Sequence, residues 1–283
     1  HIELSDNGAT GLEARLSGIS KVDAQGGVTR LSPETDRVTF TNFYSRALTD
    51  DVPARPAAQK PGLTLNKADH FAYVHGYPDG TIRPEEKITR AEAAAILYRI
   101  MTPSCAEAYQ ADSSSYSDVT GRDWFHGYAA TLERAGVIRD TPAGGLFRPN
   151  EYITRAELTV MLAQFAPAES GASPRFSDVA AQHWAAGEVS LAAKLGWIRG
   201  YPDGSFRPEQ TVTRGEMMAM INRALERRPC SAADLLPGMK VWSDNQAADK
   251  WYYLDVQEAA NSHTYTKTGE HETWTQCLTD PAH

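Results

Sequence analysis

The chain has 283 residues, of which 41% are hydrophobic, and its formal net charge is −8. This length allows two domains, or one domain with an appended segment, and the composition supports a packed core. The negative charge excludes binding of nucleic acid over the whole surface, and no apolar run approaches the roughly 18 residues that a membrane-spanning helix needs. The first residues, HIELSDNGAT, do not form a signal peptide, and we expect the chain to be a piece of a longer protein.

Residues 1–48 differ in pattern from the rest of the chain. The stretch GGVTRLSPETDRVTFTNFY alternates apolar and polar side chains and is rich in Thr, Val, Phe and Tyr, which favours strands. This segment is too short for a complete sandwich, so we predict the β-rich end of an upstream domain. Residues 49–64 are rich in Pro and predict a linker.

A motif of Thr, Arg, a small residue and Glu occurs three times, beginning at Thr89, Thr154 and Thr213. An Arg-Pro pair starts seven residues before each motif arginine, and a glycine-containing turn precedes that pair. Because all three copies keep this order, they predict an internal repeat. We assign the second half of a first repeat to residues 65–104, and complete repeats to residues 112–168 and 173–228.

A second pattern forms the front half of a repeat. YSDV at Tyr116 and FSDV at Phe176 each lead to a tryptophan and then to an apolar helical stretch. This pattern is missing before the first copy, but it returns in diverged form as VWSDNQAADKW from Val241. We therefore assign residues 238–283 to a front half with a tail, and expect it to pair with the first back half. Such pairing would close a ring of three units and remove the ends that a linear array must cap.

The repeated Thr and Glu fit the capping box of a helix N-terminus. In this arrangement the Thr side chain accepts from the third helical N–H, and the Glu side chain reaches back to the N–H of the cap. Apolar residues then recur at helical spacing, which predicts one buried face for each helix. We therefore give a structural role to Thr89, Glu92, Thr154, Glu157, Thr213 and Glu216.

The arginine of the motif stands at the first helical position, where a cation opposes the helix dipole at a cost of a few tenths of a kcal/mol. The three residues are Arg90, Arg155 and Arg214. One explanation is contact with an anionic ligand, because a helix N-terminus and a guanidinium both suit a carboxylate or phosphate. The other is an internal salt bridge, for which the repeated aspartates are candidate partners. Those aspartates are Asp118, Asp178 and Asp244.

The tryptophan of each front half also has two interpretations. The three residues are Trp124, Trp184 and Trp251. Tryptophan is more often part of a core than of a ligand platform. An aromatic face beside a polar groove can also hold a sugar ring, and one side chain can serve both uses.

The sequence predicts neither a metal, nor another cofactor, nor a catalytic site. The PDG turns offer one carboxylate each, there is no HExxH motif, and His263 and His271 are expected in a polar tail. There is no GxSxG motif or P-loop, and the repeated chemistry is unlike a single asymmetric active site. Three cysteines without a CxxC pair leave one disulfide or three free thiols equally open. They are Cys105, Cys230 and Cys277.

These motifs resemble the S-layer homology family, whose repeats join an FxDV…W helix, a GYPDGxFRP loop and an ITRAE helix. The loop and second helix are matched by GYPDGTIRPEEKITRAE at residues 76–92 and GYPDGSFRPEQTVTRGE at residues 200–216. The middle copy, TPAGGLFRPNEYITRAE, has Thr141 and Pro142 where the family has Gly-Tyr, and the third has Gly215 in place of Ala. The resemblance covers residues 65 to 228. Residues 38–44, VTFTNFY, also resemble the closing strand of Cna-B-like sandwich domains.

The resemblance implies a mainly α fold, a pseudo-threefold helical bundle of three repeats with grooves between them. It also implies a non-catalytic, extracellular anchor on a bacterial cell wall of the Gram-positive type. Its expected partner is an anionic secondary cell wall polysaccharide attached to peptidoglycan, often carrying pyruvyl ketals and held without a covalent bond. We expect a monomer with no nucleic-acid partner.

The motif arginine is the main anion contact that the resemblance implies. The candidate ligand-binding residues are Arg90, Arg155, Arg214, Trp124, Trp184, Trp251, Asp118, Asp178, Asp244, Gly80 and Gly204. The alternative function is a structural or protein-interaction module of a surface assembly without direct glycan binding. Solvent-facing arginines would favour the glycan, and buried Arg–Asp pairs would favour the structural module.

Overall fold

The computed structural model describes residues 62–139, 145–167 and 176–280, together with the backbone of four short strands between residues 3 and 31. The chain divides into two compact units, residues 1–53 and 54–283. In the first unit, β1 (Glu3–Asp6) pairs antiparallel with β2 (Leu12–Arg15), and β3 (Ile19–Val22) pairs antiparallel with β4 (Val28–Leu31). The expected strand at residues 38–44 and most of the expected linker lie outside the described residues.

The second unit is mainly α-helical, and its described part ends in a β-hairpin. The helices are α1 (Arg90–Arg99), α2 (Pro103–Ala108), α3 (His126–Arg134), α4 (Arg155–Ala163), α5 (Ala186–Lys194), α6 (Arg214–Leu225) and α7 (Tyr253–Ala260). A single 3₁₀ turn spans Ala232–Asp234. The hairpin pairs β5 (His263–Thr268) with β6 (His271–Cys277) in antiparallel register. The expectation that His263 and His271 lie in a polar tail is therefore wrong, because they begin the two strands of this hairpin.

Helices α1, α4 and α6 begin at the motif arginines, and each starts with a complete capping box. The Thr side chain accepts from the third helical N–H, while the Glu side chain accepts from the backbone N–H of the cap. Helix α1 packs against α3, α4 against α5, and α6 against α7, so each motif helix packs against the front-half helix that follows it. Their buried faces contribute to one large hydrophobic core.

The residues just before the three motif helices hydrogen-bond to one another in a closed cycle. Ile153 N–H donates to Ile88 at 3.1 Å, Ile88 N–H to Val212 at 3.1 Å, and Val212 N–H to Ile153 at 3.0 Å. All three side chains are fully buried. Three segments that are far apart in sequence are therefore joined at one place in the core.

The last front half contacts the loop of the first repeat. Asp244 accepts from the backbone N–H groups of Ile82 at 3.0 Å and Arg83 at 2.7 Å, across more than 160 residues of sequence. The Trp242 ring lies so close to Gly76 that a Cβ at this glycine would be 2.0 Å from it. The N-terminal back half and the C-terminal front half therefore meet, as ring closure requires.

Candidate functional site

The three motif arginines are buried, with 3%, 6% and 5% of the surface of Arg90, Arg155 and Arg214 exposed. Each Nε donates to a backbone carbonyl in the loop of another repeat. The acceptors, at 2.7, 2.8 and 2.9 Å, are Phe147, Phe206 and Ile82 respectively. Much of the donor capacity of these arginines is therefore used to join one repeat to another.

Each buried guanidinium also faces the capping glutamate of another repeat. The pairs are Arg90–Glu157 at 2.8 Å, Arg214–Glu92 at 3.3 Å and Arg155–Glu216 at 3.7 Å. Pairing with the repeated aspartates, the structural alternative considered above, is wrong, because the partners are the glutamates of the motif itself. The carboxylate also explains why a cation is tolerated at the first helical position, since it offsets the opposing helix dipole.

The repeated aspartates hold the loops by accepting hydrogen bonds from two successive backbone N–H groups. The acceptor distances are 2.7 and 2.7 Å for Asp118, 2.7 and 2.6 Å for Asp178, and 3.0 and 2.7 Å for Asp244. The second donor in each loop is an arginine in the left-handed region, with φ between 55° and 59°. A non-glycine residue with this φ costs about 1–3 kcal/mol, so the aspartate holds a strained turn in place.

Gly80 and Gly204 also lie in these loops, with φ of 80° and 79°. An added Cβ at either position would meet no atom within 4 Å, so the backbone conformation rather than lack of space calls for glycine. Thr141 and Pro142, where the middle copy departs from the GYPDG pattern, lie outside the described residues.

The front-half tryptophans are exposed, so the expectation that they belong to the core is wrong. Trp124, Trp184 and Trp251 expose 62%, 56% and 62% of their surface. The residue that follows each of them is buried instead, for example Phe125 and Tyr252. In each front half the tryptophan ring therefore faces solvent, and the side chain of the next residue packs in the core.

One groove contains both an exposed tryptophan and a concentration of positive charge. It has a volume of about 300 Å³, and its lining includes Arg155, Arg199, Tyr201, Glu216, Arg223 and Trp251. Three guanidiniums against one carboxylate give this lining an excess of two positive charges, although the whole chain carries −8. The groove therefore combines an aromatic face with local attraction for an anion.

Arg223 has spare donor capacity in this groove. Its Nε donates to the backbone carbonyl of Ala219 at 2.7 Å, but its buried Nη1 has no hydrogen-bond partner among the described residues. Burial lowers the pKa of Arg223 to about 10, opposed by the carboxylate of Asp255 and assisted by the charges of Arg199 and Arg155. The guanidinium still carries its charge at neutral pH, so an anion bound here would relieve the repulsion, and a shift of the Arg223 side chain would bring its buried Nη1 to that anion.

The sequence interpretation missed Arg199 and Arg223 because neither belongs to the repeated motif. Arg199 ends the LGWIR stretch of the third copy as Arg139 ends AGVIR in the middle copy, and His75 precedes the first loop as Arg199 precedes the third. At the position of Arg223 the other copies have Arg99 and Gln164. Comparison of the copies for charges that differ, rather than for residues that repeat, would have drawn attention to both positions.

Comparison with known proteins identifies three segments of the chain. Residues 71–94, 115–159 and 175–218 match the S-layer homology domain. The matched segments contain all three motif arginines and the first two front-half tryptophans. Three segments of the chain thus match the S-layer homology domain, and the diverged front half from Val241 lies outside them.

Three relatives show how this part of the chain is distributed among larger proteins. Cell surface glycoprotein 1 of Acetivibrio thermocellus is 35% identical over 225 residues, which are 75% of this chain but 9% of the relative. The Cellulosome-anchoring protein of the same organism is 31% identical over 203 residues, 70% of this chain and 44% of the relative. Amylopullulanase of Thermoanaerobacterium thermosulfurigenes is 34% identical over 161 residues, 54% of this chain and 8% of the relative. The chain therefore spans less than half the length of each of these proteins.

Proposed function

We propose that this chain is a non-catalytic module that anchors a protein to the bacterial cell surface by non-covalent binding of an anionic secondary cell wall polysaccharide. The observation that carries this proposal is the groove in which Arg155, Arg199 and Arg223 surround a space bordered by Trp251. An extracellular location at the cell wall or surface agrees with the S-layer homology segments and with the names of the two relatives from Acetivibrio thermocellus. Occurrence of the shared region in an amylopullulanase agrees with a module separate from catalysis.

The chemistry of the groove suits a sugar that carries a carboxylate, such as one modified with a pyruvyl ketal. The guanidinium of Arg223 can supply an unpaired donor, and Arg199 is exposed beside it. Trp251 offers a flat apolar ring on which a sugar can lie. We therefore assign the main anion contacts to Arg199 and Arg223. The buried Arg155 lies beneath them in the lining of the groove.

We also propose that the described helical unit is a closed, pseudo-threefold bundle that acts as a monomer. The cyclic hydrogen bonds through Ile88, Val212 and Ile153 support this arrangement, as do the cyclic arginine–glutamate pairs. The contact of Asp244 with the first loop supports pairing of the last front half with the first back half. In such a bundle each groove lies between neighbouring units, and its chemistry depends on residues that vary between copies.

A structural or protein-interaction module remains the second candidate, and one observation favours it. The motif arginines are buried and paired inside the protein, so their repetition by itself does not require a ligand. The two candidates differ in the role of Arg199 and Arg223. Anchoring by glycan needs these two charges, whereas a scaffold tolerates their neutralisation.

Binding to purified cell walls tests the proposal, with walls compared before and after removal of the polymer that is not peptidoglycan. Arg199→Gln and Arg223→Gln are the informative variants, because they neutralise the groove without breaking the arginine–glutamate pairs. Arg139→Gln is the matched control, since it changes the position in the middle copy that corresponds to Arg199. Loss of one charged hydrogen bond weakens binding by about 1.5–3 kcal/mol, or roughly tenfold to a hundredfold.

We expect the parent and Arg139→Gln to bind intact walls equally, both groove variants to bind more weakly, and stripped walls to bind none of them. We also expect the parent's affinity to fall as salt rises, because a net-negative protein must hold a negative polymer through local contacts that salt screens. Binding that survives removal of the polymer, or groove variants that bind as well as the control, would favour the protein-interaction module.

A further inference from the structure

Four titratable side chains outside the groove meet in the interior of the protein. They are His70, Glu258 on α7, His263 on β5 and Glu272 on β6. All four are buried, with side-chain exposures of 0% or 1%. His70 and His263 are 193 residues apart in sequence, so the cluster joins the segment before the first motif helix to the C-terminal hairpin.

The cluster brings two nitrogens and two oxygens to one point. Nδ1 of His70 lies 3.1 Å from Nε2 of His263, 3.3 Å from Oε1 of Glu258 and 3.1 Å from Oε1 of Glu272. Nε2 of His263 lies 3.4 Å from each of the same two oxygens. The four atoms all lie within 4.8 Å of one another.

Five of the six separations are close to the edges of a tetrahedron around a zinc ion, and the two carboxylate oxygens lie within 4.8 Å of each other. Zinc binds imidazole nitrogen and carboxylate oxygen at about 2.0–2.2 Å, so ligand atoms in a tetrahedral site are about 3.3–3.6 Å apart. The five separations that involve an imidazole nitrogen are 3.1–3.4 Å, close to this range. Two imidazoles and two carboxylates complete the four-coordinate, closed arrangement typical of a structural zinc site.

The surrounding contacts turn lone pairs toward the same point. Nδ1 of His263 lies 2.9 Å from the backbone carbonyl of Asn261, which can only accept, so in the neutral ring Nδ1 carries the proton and Nε2 presents a lone pair to the cluster. This outer contact is the one that metal-bound imidazoles commonly make. The imidazole ring stacks on Trp274 at 3.9 Å between ring centroids, which holds its orientation.

The two carboxylates are held in the same way by their outer oxygens. Oε2 of Glu258 accepts from the indole N–H of Trp274 at 3.0 Å, and Oε2 of Glu272 accepts from the backbone N–H of Arg228 at 3.3 Å. Oε1 of Glu258 is buried and accepts no hydrogen bond from any described residue, although both imidazole nitrogens lie within 3.4 Å. An unpaired buried carboxylate oxygen is costly, and it points to a partner at the centre of the cluster.

Charge and sterics favour a metal ion over protons at this centre. The cationic group beside the cluster is Arg227, whose Nη1 is 4.0 Å from Oε1 of Glu258, so two buried carboxylates face one guanidinium. Protonation of both imidazoles would direct two N–H groups at each other across the 3.1 Å between Nδ1 of His70 and Nε2 of His263. Protonation of one imidazole supplies a single N–H for the three other inner atoms, and Oε1 of Glu258 is the atom left without a hydrogen bond from the described part of the chain. One divalent ion satisfies all four inner atoms together.

We propose that His70, Glu258, His263 and Glu272 bind one divalent transition-metal ion, zinc by preference, as a structural site that joins the segment before the first motif helix to the C-terminal hairpin. The ligand set of two nitrogens and two oxygens is unlike the six to eight oxygens of calcium sites or the octahedral oxygens of magnesium sites. Because the ligands come from distant parts of the chain, the bound ion stabilises the folded state over the unfolded chain. The site does not depend on the glycan groove.

The test uses the full chain, purified without metal-affinity resin, with the metal content of the protein measured before and after treatment with a chelator. Zn²⁺ alone is then titrated into the chelated protein in competition with a chromophoric chelator, and Co²⁺ is used as a probe of tetrahedral coordination through its visible absorption. Thermal unfolding is followed for each form. His263→Ala and Glu272→Gln remove one ligand each, and His271→Ala is the matched control on the same hairpin, outside the cluster.

We expect one zinc ion per parent chain, a melting temperature that falls after chelation and recovers with Zn²⁺, and intense Co²⁺ absorption. His271→Ala should keep all three properties, whereas Glu272→Gln and His263→Ala should lose stoichiometric binding. If a ligand variant does not fold, titration of the unmodified chain still decides the matter. A folded parent chain that takes up no stoichiometric Zn²⁺, or a Glu272→Gln variant that binds it as tightly as the parent, would overturn the proposal and leave a proton-linked His–Glu cluster.

Discussion

The contact between Asp244 and the first loop gives a direct test of ring closure. Asp244→Ala removes two hydrogen bonds, to the backbone N–H groups of Ile82 and Arg83, and leaves the N–H of the fully buried Ile82 without its acceptor. Hydrogen bonds to charged groups contribute about 1.5–3 kcal/mol each. Because the carboxylate of Asp244 is exposed, we take about 1 kcal/mol for each bond, and expect a loss of about 2 kcal/mol.

This loss should appear as a lower free energy of unfolding in urea and as a melting temperature reduced by about 4–8 °C for a unit of this size. Asp178→Ala is the matched comparison, because it removes the same pair of bonds within the third repeat. Asp244→Asn should show an intermediate loss, since its amide oxygen can still accept one of the two bonds. If Asp178→Ala costs about 2 kcal/mol while Asp244→Ala changes the free energy of unfolding by less than about 0.5 kcal/mol, the last front half does not hold the first loop and the ring is open.

Three further predictions concern single side chains. Trp251→Ala should weaken binding to intact walls at least about tenfold, with little change in stability because the ring is exposed. Trp184→Ala is its control, and equal loss of binding in the two variants would refute the choice of groove. Glu216→Gln should lower the melting temperature, because it weakens both the hydrogen bond from the Thr213 N–H and the ion pair with Arg155. An unchanged melting temperature would show that Glu216 does not stabilise the fold through these two contacts. The pKa of Asp203 is lowered to about 2 by hydrogen bonds from Ser205 and then from Arg207, so its contribution to loop stability is present above pH 4 and is lost as pH falls through about 2. NMR titration should therefore find this midpoint near 2, and Ser205→Ala should move it upward; a midpoint unchanged by that substitution would refute the cause.

The local structure of the repeats could be predicted from the sequence because capping is a short-range interaction. Thr154 and Glu157 are three residues apart, and both hydrogen bonds of the box form within the first helical turn. The match to the S-layer homology domain agrees with the resemblance found in these motifs. The helical content follows from the same signals, since an apolar stripe behind each cap selects one buried face.

The partners of the arginines could not be predicted because they come from other repeats. Arg90 and Glu157 are 67 residues apart, and their pairing depends on how the helices are arranged around the core. The dipole argument correctly marked Arg90 as unusual at its position, but it could not say whether a ligand or a glutamate supplied the negative charge. The tryptophans show the same limit, because periodicity cannot decide which of two adjacent aromatic residues, such as Trp124 and Phe125, faces the core.

The histidine cluster was missed for a similar reason. Metal motifs in sequences are recognised when ligands lie close together, as in HExxH, whereas His70 reaches its partners only after the chain has passed through three repeats. His263 was assigned to a polar tail because its neighbours in β5 are Thr, Tyr and Lys. The alternation of the hairpin buries His263 while the next residue, Thr264, is exposed.

In these repeats, the residues that build the scaffold are different from those that set the charge of a groove. The repeated Thr, Arg, Glu and Asp side chains use their hydrogen bonds largely on one another and on the backbone, which explains why they recur without requiring three identical ligand sites. The positions of Arg199 and Arg223 take no part in the capping boxes or the arginine–glutamate pairs, and they change from copy to copy. In the middle copy the corresponding residues are Arg139 and Gln164, so one cation stands in place of two, and Arg139 pairs with Glu188 at 3.5 Å. This division supports the proposal that one scaffold carries grooves of different charge, and that the groove beside Trp251, with Arg199 and Arg223 in its lining, takes the anionic glycan.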